Sequence, residues 1–249
     1  MPRIAVITPY HREPPEMLAR CHQSVLAQAP AADHIIVADG FPRPEPAGWK
    51  ARHVVLPQEH GDFGATPRGI GSMLADVEGY DFVAYLDADN WYLPGHLESL
   101  LELHTRSGSP VCASLRSFHD ANGAALAVTE GAEDALQHVD TNCFFVHRSA
   151  FHVFPAWLRM PRQLVAMSDR VFLAALRKER LAVTSTQQRT VAYLTLHELH
   201  YRLAGLEPPP GAKPGTITRA AFEWLLTKEG VDESFRRLGF WPLSFLQPW

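Results

Sequence analysis

The sequence YLDADNWYLPGHL, residues 85–97, places two aspartates at the end of an apolar run. The run over residues 82–86 predicts a buried strand, and a helix is predicted after Pro94. Asp87 and Asp89 can converge on one hard divalent cation, because Mg²⁺ and Mn²⁺ favour oxygen ligands. The pattern therefore favours an anionic, diphosphate-bearing ligand at the carboxyl end of a central strand. The same DADN run also suits a turn or a helix cap, so the motif alone leaves both interpretations open.

Polar residues follow two other predicted strands as well. A strand over residues 3–8 opens the chain, a helix over residues 14–28 has apolar residues at helical spacing, and a strand over residues 34–38 follows. Alternation of strands and helices predicts a parallel, Rossmann-like sheet, which binds ligands beyond the carboxyl ends of its strands. The polar strand ends are Thr8-Pro9-Tyr10, Asp39-Gly40 and Asp87-Ala88-Asp89.

The remaining elements become less regular along the chain. In the first half, a short strand over 53–56, a glycine-rich segment over 61–71 that leads into a helix, and a helix over 95–106 continue the alternation. The second half predicts strands over 111–118, 124–129 and 142–147, a helix over 168–180, a β-rich stretch over 181–196, an exposed loop over 207–215 and a final helix over 218–229.

Composition limits the classes of protein to which the chain can belong. Its 249 residues suffice for one large α/β domain or two small ones, and 46% hydrophobic residues support a sizeable core. A net charge of −4 with scattered lysines and arginines excludes a nucleic-acid-binding footprint. No apolar run reaches the roughly 18–20 residues of a membrane span. Three widely spaced cysteines form no zinc or disulfide pattern, and no signal peptide precedes the first strand, so we expect a cytoplasmic protein.

Five segments of the chain resemble the GT-A glycosyltransferases, specifically the large inverting group known as family 2. The resemblance covers about residues 3–180 and rests on the order of the segments as much as on each one. The segments are VITPYHREPPEMLARCHQSVLAQ, IIVADG, GATPRGIG, YLDADNWYLPGHLESLL and MSDRVFLAAL. The chain departs from the family pattern at Ala38, which replaces an aspartate, at Pro67 and Gly69, which replace alanine and asparagine, and at Ser168, which replaces glutamate.

The resemblance implies roles for individual residues. Thr8, Pro9 and Tyr10 would form the nucleotide pocket, with Tyr10 near the base, and Asp39 would accept a hydrogen bond from a uracil-like base. Arg68 would face the nucleotide or the diphosphate. Asp87 would contact the ribose or the metal with its bound water, and Asp89 would ligate the metal. Asp169 would be the catalytic base, and a late histidine, His197 or His200, would help to bind the metal.

Each of these assignments has a plainer alternative. Tyr10 can be an exposed aromatic at a strand end, Asp39-Gly40 can be only a turn, and Arg68 can be a solvated residue at a helix start. Asp169 can stand in the first turn of a helix that Ser168 caps, where the helix dipole favours a carboxylate. For the late histidines the alternative is a structural role, and for Trp91 and Trp157 core packing competes with stacking on a sugar.

The resemblance implies a metal-dependent, inverting glycosyltransferase with Mn²⁺ or Mg²⁺ as its cofactor. It would move a sugar from a nucleotide-diphosphate donor, most simply a UDP-sugar, to a hydroxyl of a glycan, glycolipid or glycoconjugate acceptor. We expect a single GT-A domain over 1–249, with a nucleotide-sugar-binding half (1–110), an acceptor and catalytic half (111–206) and a C-terminal loop and helix (207–249). The sheet should be mostly parallel and continuous with a smaller mixed region on the acceptor side.

Two other functions stay open. A nucleotidyltransferase has a related sheet, but the glycine-rich loop expected after its first strand is absent here. A non-catalytic nucleotide-sugar-binding scaffold is favoured by Ser168 and by the altered PRGIG segment. The apolar tail FWPLSFLQPW is compatible with packing on the domain, with a homo-oligomer contact or with peripheral attachment at the inner face of a membrane.

Overall fold

One mixed sheet organises the chain in the computed structural model, which describes residues 2–128, 135–214 and 216–246. Nine strands contribute to this sheet within the described residues. They are β1 (Ile4–Tyr10), β2 (Asp33–Ala38), β3 (Arg52–Val55), β4 (Phe82–Tyr85), β5 (Trp91–Tyr92), β6 (Val111–His119), β7 (Ala125–Leu126), β8 (Phe144–His147) and β9 (Val183–Leu194).

Helices connect and cover the strands. They are α1 (Pro15–Leu26), α2 (Ala65–Val77), α3 (His96–Ser107), α4 (Pro155–Arg159), α5 (Ser168–Lys178), α6 (Glu198–Leu203), α7 (Thr216–Leu225) and α8 (Lys228–Leu238). The described helices α1, α2 and α3 follow β1, β3 and β5 in chain order, which is the alternation predicted from the sequence.

The sheet has a parallel half and a mixed half, as predicted. Its strand order is β3-β2-β1-β4-β8-β6-β9-β5, with β7 attached to β6. β1 pairs in parallel with β2 and β4, and β2 pairs in parallel with β3. β8 runs antiparallel to β4 and β6, while β6 and β9 are parallel. The carboxyl ends of β1, β2 and β4 therefore lie at one edge of the sheet.

The central strand β1 is buried along its whole length. Helix α2 packs against this strand so closely that a Cβ atom on Gly71 would lie 2.5 Å from Ile7 Cγ2. A side chain at this position would push the helix away from the sheet. Because α2 begins at the cavity described below, this close packing sets the position of the functional side chains on its first turn.

Several elements differ from the prediction, and local hydrogen bonds explain two of the differences. The predicted helix over 218–229 is two helices, because Thr227 ends α7 and its Oγ1 accepts a hydrogen bond from Gly230 N (3.0 Å) to cap α8. The predicted strand over 142–147 begins only at Phe144, because Thr141–Cys143 forms a 3-10 turn. β5, α4 and α6 were not predicted. Position 129, the end of another predicted strand, lies outside the described residues.

The apolar C-terminal segment packs on the domain as far as it is described. Phe240 is buried in the core, and Trp241 donates a hydrogen bond from Nε1 to Leu225 O (2.9 Å). Arg177 Nη1 donates to Phe245 O (3.0 Å). Residues 247–249 of the tail lie outside the described residues. Within the described chain, no helix combines the length and the apolar character needed to cross a membrane.

Candidate active site

A cavity of about 370 Å³ opens at the carboxyl ends of β1, β2 and β4. This is the edge of the sheet at which the sequence predicted a ligand, and the volume suits a small organic ligand. Its rim is formed by the loop before α2 and by one residue of the C-terminal half. Among the residues in its walls are Pro9, Tyr10, Glu13, Asp39, Phe63, Arg68, Asp87, Asp89 and Lys213.

Tyr10 is a buried wall residue rather than an exposed aromatic. Only 2% of its surface is exposed. Its hydroxyl accepts a hydrogen bond from Arg43 N (2.9 Å) and lies 2.8 Å from His53 Nε2. Burial raises the pKa of the phenol, so Tyr10 stays neutral. The two contacts of its hydroxyl fix the orientation of the ring. Pro9 lies beside it in the same wall.

Thr8 lies beneath the cavity and does not line it. Its side chain is fully buried, and Oγ1 lies 2.7 Å from His34 Nε2. His34 Nδ1 in turn lies 2.8 Å from His22 Nδ1, and the His22 ring stacks on Trp49. Burial, with the neighbouring His22, lowers the pKa of His34 to about 3, so His34 is neutral. Thr8 therefore supports the strand end from behind.

Asp39 anchors the loop that forms the rim of the cavity. It is buried, and its Oδ1 accepts a hydrogen bond from His60 N (3.0 Å) and lies 2.8 Å from His60 Nδ1. Its Oδ2 accepts from Gly61 N (3.1 Å). Gly40 follows with a φ of +78°, and a Cβ there would lie 2.4 Å from Glu59 N. Asp39 therefore both stabilises the turn and lines the cavity. Because a carboxylate oxygen can accept two hydrogen bonds, Oδ2 has a second acceptor position.

Arg68 is a buried partner of the aspartate motif, and the solvated alternative does not hold. Only 4% of Arg68 is exposed. Its Nη2 donates to Asp87 Oδ1 (2.5 Å), and its Nη1 donates to Phe63 O (3.1 Å). Arg68 thereby connects the first turn of α2, the loop before it and the end of β4.

Asn142 extends this contact into the second half of the chain. Asp87 N donates to Asn142 Oδ1 (2.5 Å), and Asn142 Nδ2 donates to Asp87 Oδ2 (3.1 Å) and Asp140 Oδ1 (2.7 Å). Arg116 Nη1 then donates to Asp140 Oδ2 (2.5 Å). Sequence reasoning did not single out these residues. The signal available was a short polar run, DTN, directly before an apolar strand.

Asp89 differs from Asp87 because its carboxylate has no partner. Within the described residues, no other residue donates a hydrogen bond to its side chain; Arg20 Nη2 contacts only its backbone carbonyl (2.9 Å). Burial, followed by the charges of Asp87 and Glu13, raises the pKa of Asp89 to about 7. A cation bound between these carboxylates would relieve their repulsion.

The residues of the motif fit a divalent cation in their chemistry. Asp89 has a carboxylate that no other described residue pairs with, and Asp87 is partly exposed although it is held by Arg68. The donors are all oxygen, which suits Mg²⁺ or Mn²⁺ and does not distinguish them. The described residues contain no cluster of three or more histidine, cysteine, aspartate or glutamate side chains arranged as a metal site. A cation here would need ligands from a substrate or from water.

Lys213 is a wall residue that the sequence did not reveal. It belongs to the proline-rich segment that was predicted to be an exposed loop. Lys213 N donates to Leu196 O (2.6 Å), and Glu198 N donates to Lys213 O (3.1 Å), which holds this residue at the mouth of the cavity. Its positive charge counteracts the rise in the pKa of Asp89. No local pattern marks such a residue, because its position depends on a contact between distant segments.

Asp169 stands apart from the cavity lining and has its own partner. Its Oδ2 lies 2.6 Å from His138 Nε2, and its Oδ1 accepts from Arg170 N (2.7 Å). Burial raises the pKa of this carboxyl, but His138 and Arg170 outweigh burial and lower it to about 2. Segment 138–142 links His138 to the residues that hold the aspartate motif.

The position of Asp169 in α5 corrects one expectation. Ser168 is not an N-cap: it has helical torsion angles (φ −58°, ψ −35°) and is the first residue of the helix. Asp169 does lie in the first turn, as predicted. Met167 occupies the cap position, and its side chain makes no capping hydrogen bond.

The late histidines and the two tryptophans named above lie outside the lining of this cavity. His200 is buried, with Nδ1 2.5 Å from Thr195 Oγ1 and its ring 4.3 Å from that of Phe118. Neither His200 nor His197 lines the cavity. Trp157 is buried and stacks on Phe172 in the core, which agrees with the core-packing interpretation of this residue.

The mostly parallel sheet, with its cavity at the carboxyl ends of the strands, has the GT-A fold. The chain is similar to the solved structure of S. aureus TarS 1–349, with a TM-score of 0.61 and 12% identity over 94% of this chain and 72% of that one. The structure of TarS 1–349 in complex with UDP gives a TM-score of 0.59 at 12% identity, over 96% of this chain and 72% of that one. At this identity the likeness concerns the fold alone.

Residues 5–127 match the model of the family described as glycosyl transferase family 2. The succinoglycan biosynthesis protein ExoW of Rhizobium meliloti (strain 1021) is 35% identical over 115 residues, which are 43% of this chain and 35% of that protein. The similarity to glycosyl transferase family 2 therefore concerns residues 5–127 of this chain. The match spans about a third of the length of the curated relative.

The Asp169–His138 pair should make the stability of the protein depend on acidic pH. The pKa of Asp169 is about 2 in the folded protein, against about 3.9 when unfolded, so its ionised form stabilises the fold by about 2 kcal/mol above pH 4. This contribution is lost as the pH falls from about 4 to about 2. We expect the difference in unfolding free energy between wild type and Asp169→Asn, measured with urea, to shrink over this range. Asp76→Asn, at an exposed position on α2, is the control; a pH-independent difference for Asp169→Asn would contradict the prediction.

Proposed function

We propose that the protein is a glycosyltransferase that uses a nucleotide-diphosphate sugar, most simply a UDP-sugar, and acts in the assembly of a polysaccharide or glycoconjugate. The observation that carries this proposal is the unpaired Asp89 beside the Arg68–Asp87 pair, in a cavity whose other wall is formed by Tyr10 and Asp39. The UDP complex of TarS supports the donor. The similarity to ExoW, a succinoglycan biosynthesis protein, supports a polysaccharide product.

The cavity divides the donor between two groups of side chains. Tyr10 offers an apolar wall to the base, and the free acceptor position of Asp39 Oδ2 accepts a hydrogen bond from an imide N–H such as that of uracil. Lys213 and the buried guanidinium of Arg68 supply positive charge for the diphosphate. In this proposal the base lies at the ends of β1 and β2, and the diphosphate lies at the end of β4.

Asp89, with Asp87, would hold a Mg²⁺ or Mn²⁺ ion, which supplies Lewis-acid charge to the departing diphosphate. Arg68 neutralises one oxygen of Asp87 and fixes the orientation of this carboxylate. Asp89 lines the cavity, and no other described residue pairs with its carboxylate. The two aspartates thus have different tasks: Asp87 is oriented by the protein, and Asp89 responds to the ligand.

Asp169 is the proposed base for the acceptor hydroxyl. With a pKa of about 2 it is ionised at neutral pH but only weakly basic. It therefore accepts the proton late, when the hydroxyl oxygen has begun to bond to the sugar carbon and its proton has become acidic. His138 holds Oδ2 and thereby fixes the orientation of the carboxylate. Attack from the side opposite the diphosphate inverts the configuration of the sugar.

Asp89→Ala should abolish the metal dependence of nucleotide binding. We expect wild type to bind UDP more tightly with Mn²⁺ than with EDTA, and Asp89→Ala to bind UDP at least about tenfold more weakly in Mn²⁺, because the carboxylate contacts the ion directly. Isothermal calorimetry with UDP, GDP and dTDP measures this, with Asp76→Ala as the control. Absence of metal-dependent binding for all three nucleotides would leave turn formation as the role of the aspartate motif.

Lys213→Ala should weaken the binding of a diphosphate more than that of a monophosphate. We expect about a three- to tenfold loss of UDP affinity and little change for UMP, because the ammonium group contacts the β-phosphate. The same calorimetric titrations compare the two ligands. Lys228→Ala, at an exposed position on α8, should leave both affinities unchanged. Equal losses for UDP and UMP would assign Lys213 to another part of the nucleotide.

Asp169→Asn should separate catalysis from donor binding. We expect UDP release from a matching UDP-sugar and acceptor to fall about 10²–10⁴-fold, because the amide cannot accept the proton. The affinity for UDP should stay at the wild-type value, since Asp169 does not line the cavity. Turnover that survives this substitution would exclude Asp169 as the base. A wild type that binds donors without turnover would favour the scaffold alternative.

A further inference from the structure

Phe63 has two features that are unfavourable in the protein without a ligand. Its side chain lies at the rim of the cavity, and 58% of the residue is exposed to solvent. Its backbone has a φ of +53°, in the left-handed region that disfavours residues with a Cβ atom. Exposed apolar residues are common on proteins, but an exposed aromatic ring on a strained backbone at a cavity requires a reason.

The strain is held in place by specific contacts. Arg68 Nη1 donates to Phe63 O (3.1 Å), while Asp62 Oδ2 accepts from Thr66 N (3.0 Å) and Thr66 Oγ1 (2.6 Å). On the other side, Asp39 holds Gly61. The loop is therefore fixed at both ends, and the position of Phe63 is built into the structure.

The loop also packs directly on the wall of the cavity. Gly64 has a φ of +80°, and a Cβ there would lie 3.0 Å from Pro9 Cγ and 3.2 Å from Arg68 Nη2. The absence of a side chain at Gly64 thus lets the loop approach the end of β1. Phe63 therefore lies between Gly61, which Asp39 holds, and Gly64, which packs on Pro9. Asp39 and Pro9 stand at the strand ends assigned to the base.

The ring of Phe63 has no aromatic or cationic partner among the described residues. By comparison, Phe41, whose neighbour His11 lines the cavity, is covered by Arg12 and contacts His11 edge-on. Phe41 therefore has ring partners within the protein, while the ring of Phe63 offers an open face.

We propose that Phe63 is the stacking platform for the nucleobase of the donor. The proposal rests on the proposed function and goes beyond it by assigning a residue that the aspartate motif and the other motifs do not include. Stacking contributes affinity without choosing between bases, because every base has a π-face. Selection among bases then depends on the hydrogen bond to Asp39, and Phe63 raises the affinity for any base that the cavity admits.

Phe63→Asn tests the proposal, because asparagine tolerates the left-handed conformation and removes the ring. We expect the affinity for UDP and for uridine to fall by the same factor, about 5- to 100-fold, and that for pyrophosphate to stay unchanged. Without ligand, the melting temperature should rise by about 2–4 °C. Phe63→Trp, which keeps an aromatic face, should retain UDP affinity. Val77→Asn, at an exposed apolar position at the end of α2, is the matched control and should leave UDP binding unchanged.

The outcomes separate this inference from the proposed function. Equal losses for UDP and pyrophosphate would mean that Phe63 only supports the loop. A loss confined to the sugar-bearing donor would assign the ring to the sugar instead. Either result, or unchanged UDP affinity in Phe63→Asn, overturns the inference while the proposed function stands. A wild type that binds no nucleotide overturns both.

Discussion

The ion pair between Arg68 and Asp87 joins the two halves of the candidate active site. The guanidinium is buried, so leaving Arg68 without its partner would strand a charge in the interior. The same guanidinium holds the carbonyl of Phe63, and Asp87 continues through Asn142 into the mixed half of the sheet. A buried ion pair adds little to stability compared with apolar packing. The ion pair instead fixes geometry: it holds the cavity loop, the end of β4 and segment 138–142 in fixed positions relative to one another.

Four aspartates near this network illustrate how surroundings assign different chemistry to one side chain. Asp39 is held by the backbone N–H groups of the rim loop, and Asp87 is paired with a guanidinium. Burial, together with the neighbouring carboxylates, raises the pKa of Asp89 to about 7, whereas the pKa of Asp169 falls to about 2 beside His138. Burial, hydrogen bonds and nearby charges decide each case. The same side chain therefore anchors a loop at Asp39, forms an ion pair at Asp87, is protonated more easily at Asp89 and stays ionised at Asp169.

Sequence reasoning succeeded where a local pattern has a single structural meaning. The apolar runs that became β1, β2 and β4 were predicted because a strand buried on both faces needs continuous apolar residues. β5, with two residues, has no such run and depends on pairing with β9. The single predicted C-terminal helix is divided at Thr227. The hydroxyl of Thr227 accepts a hydrogen bond from the backbone and caps a new helix, although the apolar spacing alone predicts one continuous helix. Short elements and breaks of this kind depend on contacts more than on periodicity.

The sequence by itself determined the alternating strands and helices, the edge of the sheet at which ligand-type residues gather, and the resemblance of residues 5–127 to glycosyl transferase family 2. Only the tertiary structure decided the partners: His138 beside Asp169, Asn142 beside Asp87, and Lys213 at the mouth of the cavity. Each of these contacts joins segments that are distant in the chain. Hydrophobic periodicity is local and can be read along a sequence, whereas hydrogen bonds and ion pairs act over a few ångströms in space and form only after the sheet has brought the segments together.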